Sequence, residues 1–243
     1  MMSFQKISLL ILLSFLMSGC AGAGGNPRDP LEPMNRAIYK FNDKADQYAM
    51  KPVAEGYRFV TPQPIRNSVT NFYNNLGDAS SAVNYSLQGK PEPAFYSFAR
   101  FTLNSTAGVL GFFDVTGESR RRFATTSFGD TFARWGWKNS SYLVLPLLGP
   151  STLRDGAGNV AEALFQNNVM YGNPHEDARL LSGSLDAVST RERLLGLEDT
   201  VKSAALDPYS YVRDGWLQIR ARTTGDDPVQ SPEDDIDIDD LME

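Results

Sequence analysis

From Leu31 onward the apolar residues of this chain recur at alternating steps of three and four: Leu31, Met34, Ile38, Phe41, Ala45 and Tyr48. That period places one apolar stripe along an α-helix and does not fit a half-buried strand, whose apolar positions alternate. Asp29 and Glu32 have the spacing of a capping box, with Pro30 at the first helical position, where a missing N–H costs nothing. The same period returns along the chain. Pro64 opens a second helix carrying Ile65, Val69, Phe72 and Leu76, and Gly77 closes it. Asp78 is placed to cap a third helix ending at Leu87. A fourth starts near Pro93 with Phe95, Phe98 and Phe101, and a fifth at Asp155 with Ala157, Val160, Ala161 and Leu164. Leu181, Leu185 and Val188 mark a sixth, Leu197, Val201 and Ala204 a seventh. Asp207-Pro208 repeats the cap-then-proline signal before Val212, Trp216 and Ile219.

The middle of the chain breaks this pattern. Val109 to Val115 is apolar with a glycine inside, and Phe132 to Leu148 carries Trp135, Trp137 and Tyr142 beside a run of aliphatic residues. The second segment reads as a short strand pair or an irregular hairpin. Trp and Tyr beside an apolar patch are also what a membrane-interface segment shows. The class is mainly α, a bundle or ring of helices.

The N-terminus reads as an export signal. Lys6 precedes an apolar run, Ile7 to Met17, broken only by Ser8 and Ser14, and Ser18-Gly19-Cys20 follows. Eleven residues are too few to cross a bilayer core, which takes about 20 helical residues, so the run fits a removable signal. Residues 1–19 are that signal and Cys20, the single cysteine of the chain, is the expected lipidation site. Residues 20–28 form a lipidated start and a short tether. Eight flexible residues span roughly 16 Å, which holds the folded part close to the leaflet that carries the acyl chains. Beyond residue 20 no uncharged run is long enough to span a membrane as a helix.

The formal charge of −6 belongs to one place. Glu233 to Glu243 holds seven of the 29 acidic residues, and without it and the signal's Lys6 the rest is balanced. A neutral body argues against nucleic acid as a partner. Residues 29–222 are then one helical domain, and 223–243 a disordered acidic tail, either a solvating terminus or a mobile arm.

Enzyme signatures are absent from the sequence. The one histidine, His175, lies in a turn-like GNPHED segment. There is no Gly-x-Ser-x-Gly elbow, no phosphate-binding loop and no His/Cys cluster with metal spacing. The expectation is a non-enzymatic protein with no cofactor and no metal.

Several stretches in register resemble the MlaA/VacJ family of outer-membrane lipoproteins. They include Asp29-Pro30-Leu31-Glu32-Pro33-Met34-Asn35-Arg36 with Tyr39-Lys40-Phe41-Asn42, then Lys51-Pro52-Val53 and Pro62-Gln63-Pro64-Ile65-Arg66-Asn67. Arg100-Phe101-Thr102-Leu103-Asn104-Ser105, Gly111-Phe112-Phe113-Asp114-Val115 and Phe128-Gly129-Asp130-Thr131 follow. The series closes with Leu145-Pro146-Leu147-Leu148-Gly149-Pro150-Ser151-Thr152-Leu153-Arg154-Asp155 and Asp207-Pro208-Tyr209.

The resemblance implies a ring-like arrangement of amphipathic helices in one membrane leaflet, the periplasm-facing inner leaflet of the outer membrane, around a central channel. It implies that phospholipids misplaced in the outer leaflet pass through that channel to a periplasmic lipid carrier, and that trimeric porins are partners. Phe41, Asn42, Arg154 and Asp155 are its candidate channel or lipid contacts, the last two equally readable as a loop and helix cap. Glu233, Asp234, Asp235, Asp237, Asp239 and Asp240 are candidate contacts for the carrier, and truncation after Gly225 is expected to leave folding intact.

Overall fold

The computed structural model describes residues 26–118, 121–166, 175–196 and 205–227. Cys20, the signal, the acidic tail beyond Asp227 and the expected helix around Val201 lie outside the described residues.

The first helix, α1 (Glu32–Ala45), runs through a π-helical turn (Asp46–Met50) into α2 (Lys51–Val60). α2 is not among the helices expected from the sequence, although Val53, Tyr57 and Val60 recur at steps of four and three. Its Pro52 sits in the first turn, where a helix needs no N–H. The Asp29 cap is not made: Leu31 is the N-cap residue, without a side-chain bond. Asp29 turns inward instead and accepts from Asn35 Nδ2 at 2.8 Å and from the Tyr209 hydroxyl at 2.5 Å.

The expected second and third helices are one, α3 (Gln63–Leu87), 25 residues with Gly77 inside. A mid-helix glycine costs about 1 kcal/mol relative to alanine. The expected cap, Asp78, is instead buried in the helix interior, bonded to Arg100 Nε at 3.2 Å and Arg121 Nη1 at 2.6 Å. Those bonds fix the turn that glycine weakens. Next come α4 (Pro91–Thr106) and the short α5 (Phe128–Arg134), which has a complete Ser127/Asp130 capping box. Strands β1 (Tyr142–Leu145) and β2 (Gly149–Thr152) pair antiparallel, Tyr142 opposite Thr152 and Leu145 opposite Gly149. The expected hairpin is therefore present, with Leu147 and Gly149 at positive φ in its turn.

Then follow α6 (Leu153–Phe165), α7 (Glu176–Arg193) and α8 (Pro208–Thr224). Thr152, not Asp155, caps α6, and its side chain accepts from the Asp155 amide. Asp207 caps α8 as its sequence indicates, and Gly225 ends it at φ 66°. The expected domain end at 222 falls inside α8, because Asp226 beyond it is buried against Arg154.

Neighbouring elements close a ring. α1 packs on β1, β1 on α6, α6 on α5, α5 on α3, α3 on α7 and α7 on α2, which leads back to α1. α4 lies along α3, and α8 contacts α5 and β2. The compact apolar core is small: Tyr142, Val144, Tyr209 and Leu217, with Ile38, Tyr39 and Trp216 against them. No helix among the described residues is long and apolar enough to cross a membrane.

Candidate functional site

Burial here runs opposite to that of a water-soluble domain. Among the described residues nine apolar side chains are buried against twenty-two polar or charged ones, while large apolar side chains are exposed on every helix but the short α5. Soluble interiors are filled by Leu, Ile, Val and Phe, and charged residues rarely enter. The polar residues lie on single helix faces. On α3, Asn75, Asp78, Ser81 and Asn84 are all buried, and so is Gln88 just beyond its end. Asp78 accepts from the buried Arg100 of α4 at 3.2 Å, Asn75 Nδ2 donates to Ser105 Oγ at 2.8 Å, and Asn84 Oδ1 accepts from the Thr131 hydroxyl at 2.7 Å, while Ser97 and Asn104 are buried on α4. Packing through the polar faces turns the apolar faces out: Phe95 is 73% exposed, Phe59 91% and Leu181 72%.

α3, α7 and the end of α6 line an open cavity of about 680 Å³. Its wall is mixed. Leu76, Ala163 and Leu180 supply apolar surface, and Tyr73, Arg179 and Asp186 supply polar groups. The Tyr73 hydroxyl donates to the Ser182 carbonyl at 2.7 Å and so ties α3 to α7 at this wall. Gly77 also faces the cavity, and a Cβ there would meet nothing within 4 Å. Burial pushes the Asp186 carboxyl above its ordinary range, with Arg193 opposing the shift. A space of this size, apolar with a few polar groups, suits an amphipathic ligand. Among the described residues no group of His, Cys, Asp and Glu is placed to hold a metal ion.

The four residues singled out from sequence do not line this cavity. Asn42 holds the hairpin: its Nδ2 donates to the Leu145 carbonyl at 2.9 Å and its Oδ1 accepts from the Leu147 amide at 2.8 Å. Asn35, two turns earlier, does the same for the Tyr142 carbonyl and Val144 amide at 3.2 and 2.9 Å. Residues seven apart share one helix face, so α1 acts as an extra partner along β1. Phe41 is 56% exposed beside Asn42.

Arg154 is completely buried and donates to Asp226 at 2.9 and 3.0 Å and to the Trp137 carbonyl at 3.1 Å. Asp155 accepts two bonds from Arg220, at 2.7 and 2.9 Å, and Arg220 also reaches Asp130 at 2.8 Å. The pair is thus a buried charge network that ties α8 to α5 and α6. A cut after Gly225 removes Asp226, the buried partner of Arg154, whereas a cut after Asp227 keeps this pair.

The family model for the MlaA lipoprotein matches residues 27–223. The chain belongs to the MlaA lipoprotein family. It is 36% identical over 220 residues to an intermembrane phospholipid transport system lipoprotein MlaA of Shigella flexneri, covering 88% of this chain and 86% of that protein. The MlaA lipoprotein of Haemophilus influenzae is 30% identical over 227 residues, 89% of each chain. A solved structure concerned with maintenance of bacterial outer membrane lipid asymmetry superposes with a TM-score of 0.69 at 31% identity, covering 81% of this chain and 98% of that one. The mainly helical class with a short hairpin therefore holds at the level of the MlaA fold.

Sequence reasoning passed over the cavity residues of this MlaA-family chain, although a signal was there. Arg179, Ser182, Asp186 and Ser189 recur at steps of three and four on α7. That polar stripe is as regular as the apolar one that was followed.

Proposed function

We propose that this chain is an outer-membrane lipoprotein of intermembrane phospholipid transport. In this reading phospholipids misplaced in the outer leaflet enter the ring and pass to a periplasmic lipid carrier, without covalent chemistry. The observation that carries the reading is the inverted burial: a polar interior with an amphipathic cavity, inside a periphery of exposed Phe, Leu, Ile and Val. An exposed apolar surface this extensive favours a lipid surround over water. A headgroup needs polar contacts and acyl chains need apolar ones, and the cavity wall offers both. Passage of a lipid through such a wall breaks no bond, so no catalytic residue is required.

The short tether after Cys20 would hold the ring against the periplasm-facing inner leaflet. The acidic residues Glu233, Asp234, Asp235, Asp237, Asp239 and Asp240 would meet the carrier, and trimeric porins would be further partners. A rival reading is a lipoprotein that scaffolds porins or cell wall without moving lipid.

Loss of the gene separates the two readings. The conduit reading expects phospholipid to accumulate at the cell surface, measured by labelling or enzymatic modification of outer-leaflet phospholipid in whole cells. A normal outer leaflet in the mutant would sink it and leave the scaffold. Truncation after Asp227 is expected to preserve folding and anchoring but weaken capture of the carrier in a pull-down; unchanged capture would remove the tail from the mechanism.

A further inference from the structure

A second cavity, of about 470 Å³, lies between the C-terminal end of α3, α5 with its following loop, and the end of α8. It shares no lining residue with the first. Its charged residues are four cations, Lys90, Arg134, Lys138 and Arg220, and one carboxylate, Asp130.

The carboxylate is engaged. Asp130 pairs with Arg220 at 2.8 Å and accepts from the Ser127 amide at 2.9 Å and the Thr126 hydroxyl at 3.1 Å. Lys138 Nζ donates to the Thr224 carbonyl near the end of α8 and so neutralises the carbonyl end of that helix. Lys90 and Arg134 make no ion pair among the described residues, and both are exposed. Two cations thus stand unbalanced at the opening, with threonine hydroxyls at the wall.

The loop between two of the cavity's lining cations, Arg134 and Lys138, is aromatic. The sequence there is Arg134-Trp135-Gly136-Trp137-Lys138, and the two indoles are 61% and 45% exposed. Both pack on Phe132, with ring centroids 5.9 and 6.3 Å away. Trp135 Nε1 donates to the Leu87 carbonyl at 3.1 Å, which fixes the ring beside the cavity wall. Exposed Trp between basic residues is the composition of a membrane–water interface, where the indole lies at headgroup depth and Arg or Lys meets phosphate.

We infer that this cavity is a binding site for the phosphoryl group of an anionic lipid headgroup, with Lys90 and Arg134 as its cationic contacts and Trp135 and Trp137 as the shelf for the glycerol and upper acyl chains. An amine-bearing headgroup finds only Asp130 here, already bonded, so a headgroup of net negative charge is favoured over a zwitterionic one. A soluble phosphate would need the same cations but gives no use to two exposed indoles. The inference does not depend on the first cavity carrying lipid.

The test uses the full-length lipoprotein purified in a neutral detergent, titrated calorimetrically with dihexanoyl phosphatidylglycerol, dihexanoyl phosphatidylcholine and sodium phosphate. Phosphatidylglycerol is expected to bind at least about tenfold tighter than phosphatidylcholine, the weight of one charge-assisted hydrogen bond. In Lys90→Gln/Arg134→Gln the two lipids bind alike, and in Lys90→Arg/Arg134→Lys the preference survives. Equal binding of both lipids by the parent protein, or an undiminished preference in the glutamine variant, overturns the proposal. So does displacement of phosphatidylglycerol by an equal concentration of sodium phosphate, which would make this a site for the free anion. Should the glutamine variant fail to fold, the single Arg134→Gln variant carries the same reading, with a smaller loss of preference.

Discussion

The hairpin end of the ring and the cavity between α3 and α7 are built on opposite plans. Around the hairpin the elements are tied by many buried polar bonds: Asn35 and Asn42 hold β1, Tyr209 and Arg213 reach Asp29, and Arg154 holds Asp226, although the Tyr142 hydroxyl, Arg154 Nη2 and Trp216 Nε1 find no partner. Around the cavity the walls meet through few bonds, chiefly Tyr73 to Ser182 and Thr70 to Ser189 at 3.4 Å. Buried charges need partners with near-complete hydrogen bonding, so the first region has one arrangement and resists opening. The second leaves polar and apolar atoms facing space. The difference teaches that the polar interior has two uses, a frame where its bonds between elements are dense and a lining where they are few.

The largest effect should come from breaking the frame. Arg154→Ala leaves Asp226 buried and unpaired, and loss of one partner from a buried pair costs about 3–5 kcal/mol. The expected outcome is a fall of that size in unfolding free energy by denaturant titration in detergent, with release of α8 from the hairpin. A change below about 1 kcal/mol, the size of a surface pair, would show that the network is not a frame.

How much of this was legible in the sequence follows from the same contrast. Helix faces were legible, because period shows which residues share a side. Which side is inside was not. Phe95 and Phe98 form a regular stripe, but on α4 the buried face is Ser97, Arg100 and Asn104. Periodicity is blind to that inversion, since a helix in water and a helix in lipid have the same repeat. The Asp207-Pro208 start of α8 was legible because a cap is a local device. Asp29 and Asp78 carry the same local signal and were misread as caps, because their partners, Tyr209 and Arg100, are far away in the chain. The continuous α3 was missed for that reason too. The cavity was only half legible: the polar stripe of Arg179, Ser182 and Asp186 is in the sequence, but that it faces Tyr73 depends on α3 and α7 meeting.

A smaller effect on stability, but a decisive one on transport, is expected at Gly77. Its Cβ position is open, so Gly77→Leu places a side chain in the cavity without a backbone clash. Replacing a mid-helix glycine should stabilise α3 by about 0.5–1 kcal/mol. Lipid delivery to the carrier should fall nonetheless, measured as phospholipid transferred from vesicles carrying the reconstituted protein. Stability up and transport down would separate lining from frame. Undiminished transport would mean that lipid does not pass this wall.

The smallest effect distinguishes the two regions by the sign of their response to acid. Burial pushes the Asp226 carboxyl up, but the Thr224 hydroxyl, the Asn139 amide and Arg154 outweigh it and hold it below the ordinary carboxylate range. A depressed carboxylate contributes stability above its unfolded pKa of about 4, and that stability is lost as pH falls through its folded value. Asp186 is shifted the other way, upward, by burial. Its contribution is fully present below about pH 4 and is lost as pH rises through its folded value. Between pH 7 and pH 4 the Asp186 effect alone should make the protein slightly more stable on acidification, and Asp186→Asn should flatten that rise while being no less stable at pH 7. Below pH 4 parent and variant should both lose stability as Asp226 takes up its proton. Denaturation midpoints followed from pH 7 to pH 3 read both limbs. If Asp186→Asn lowers stability at pH 7, Asp186 is part of the frame, and the line between the two regions must be drawn on the far side of α7.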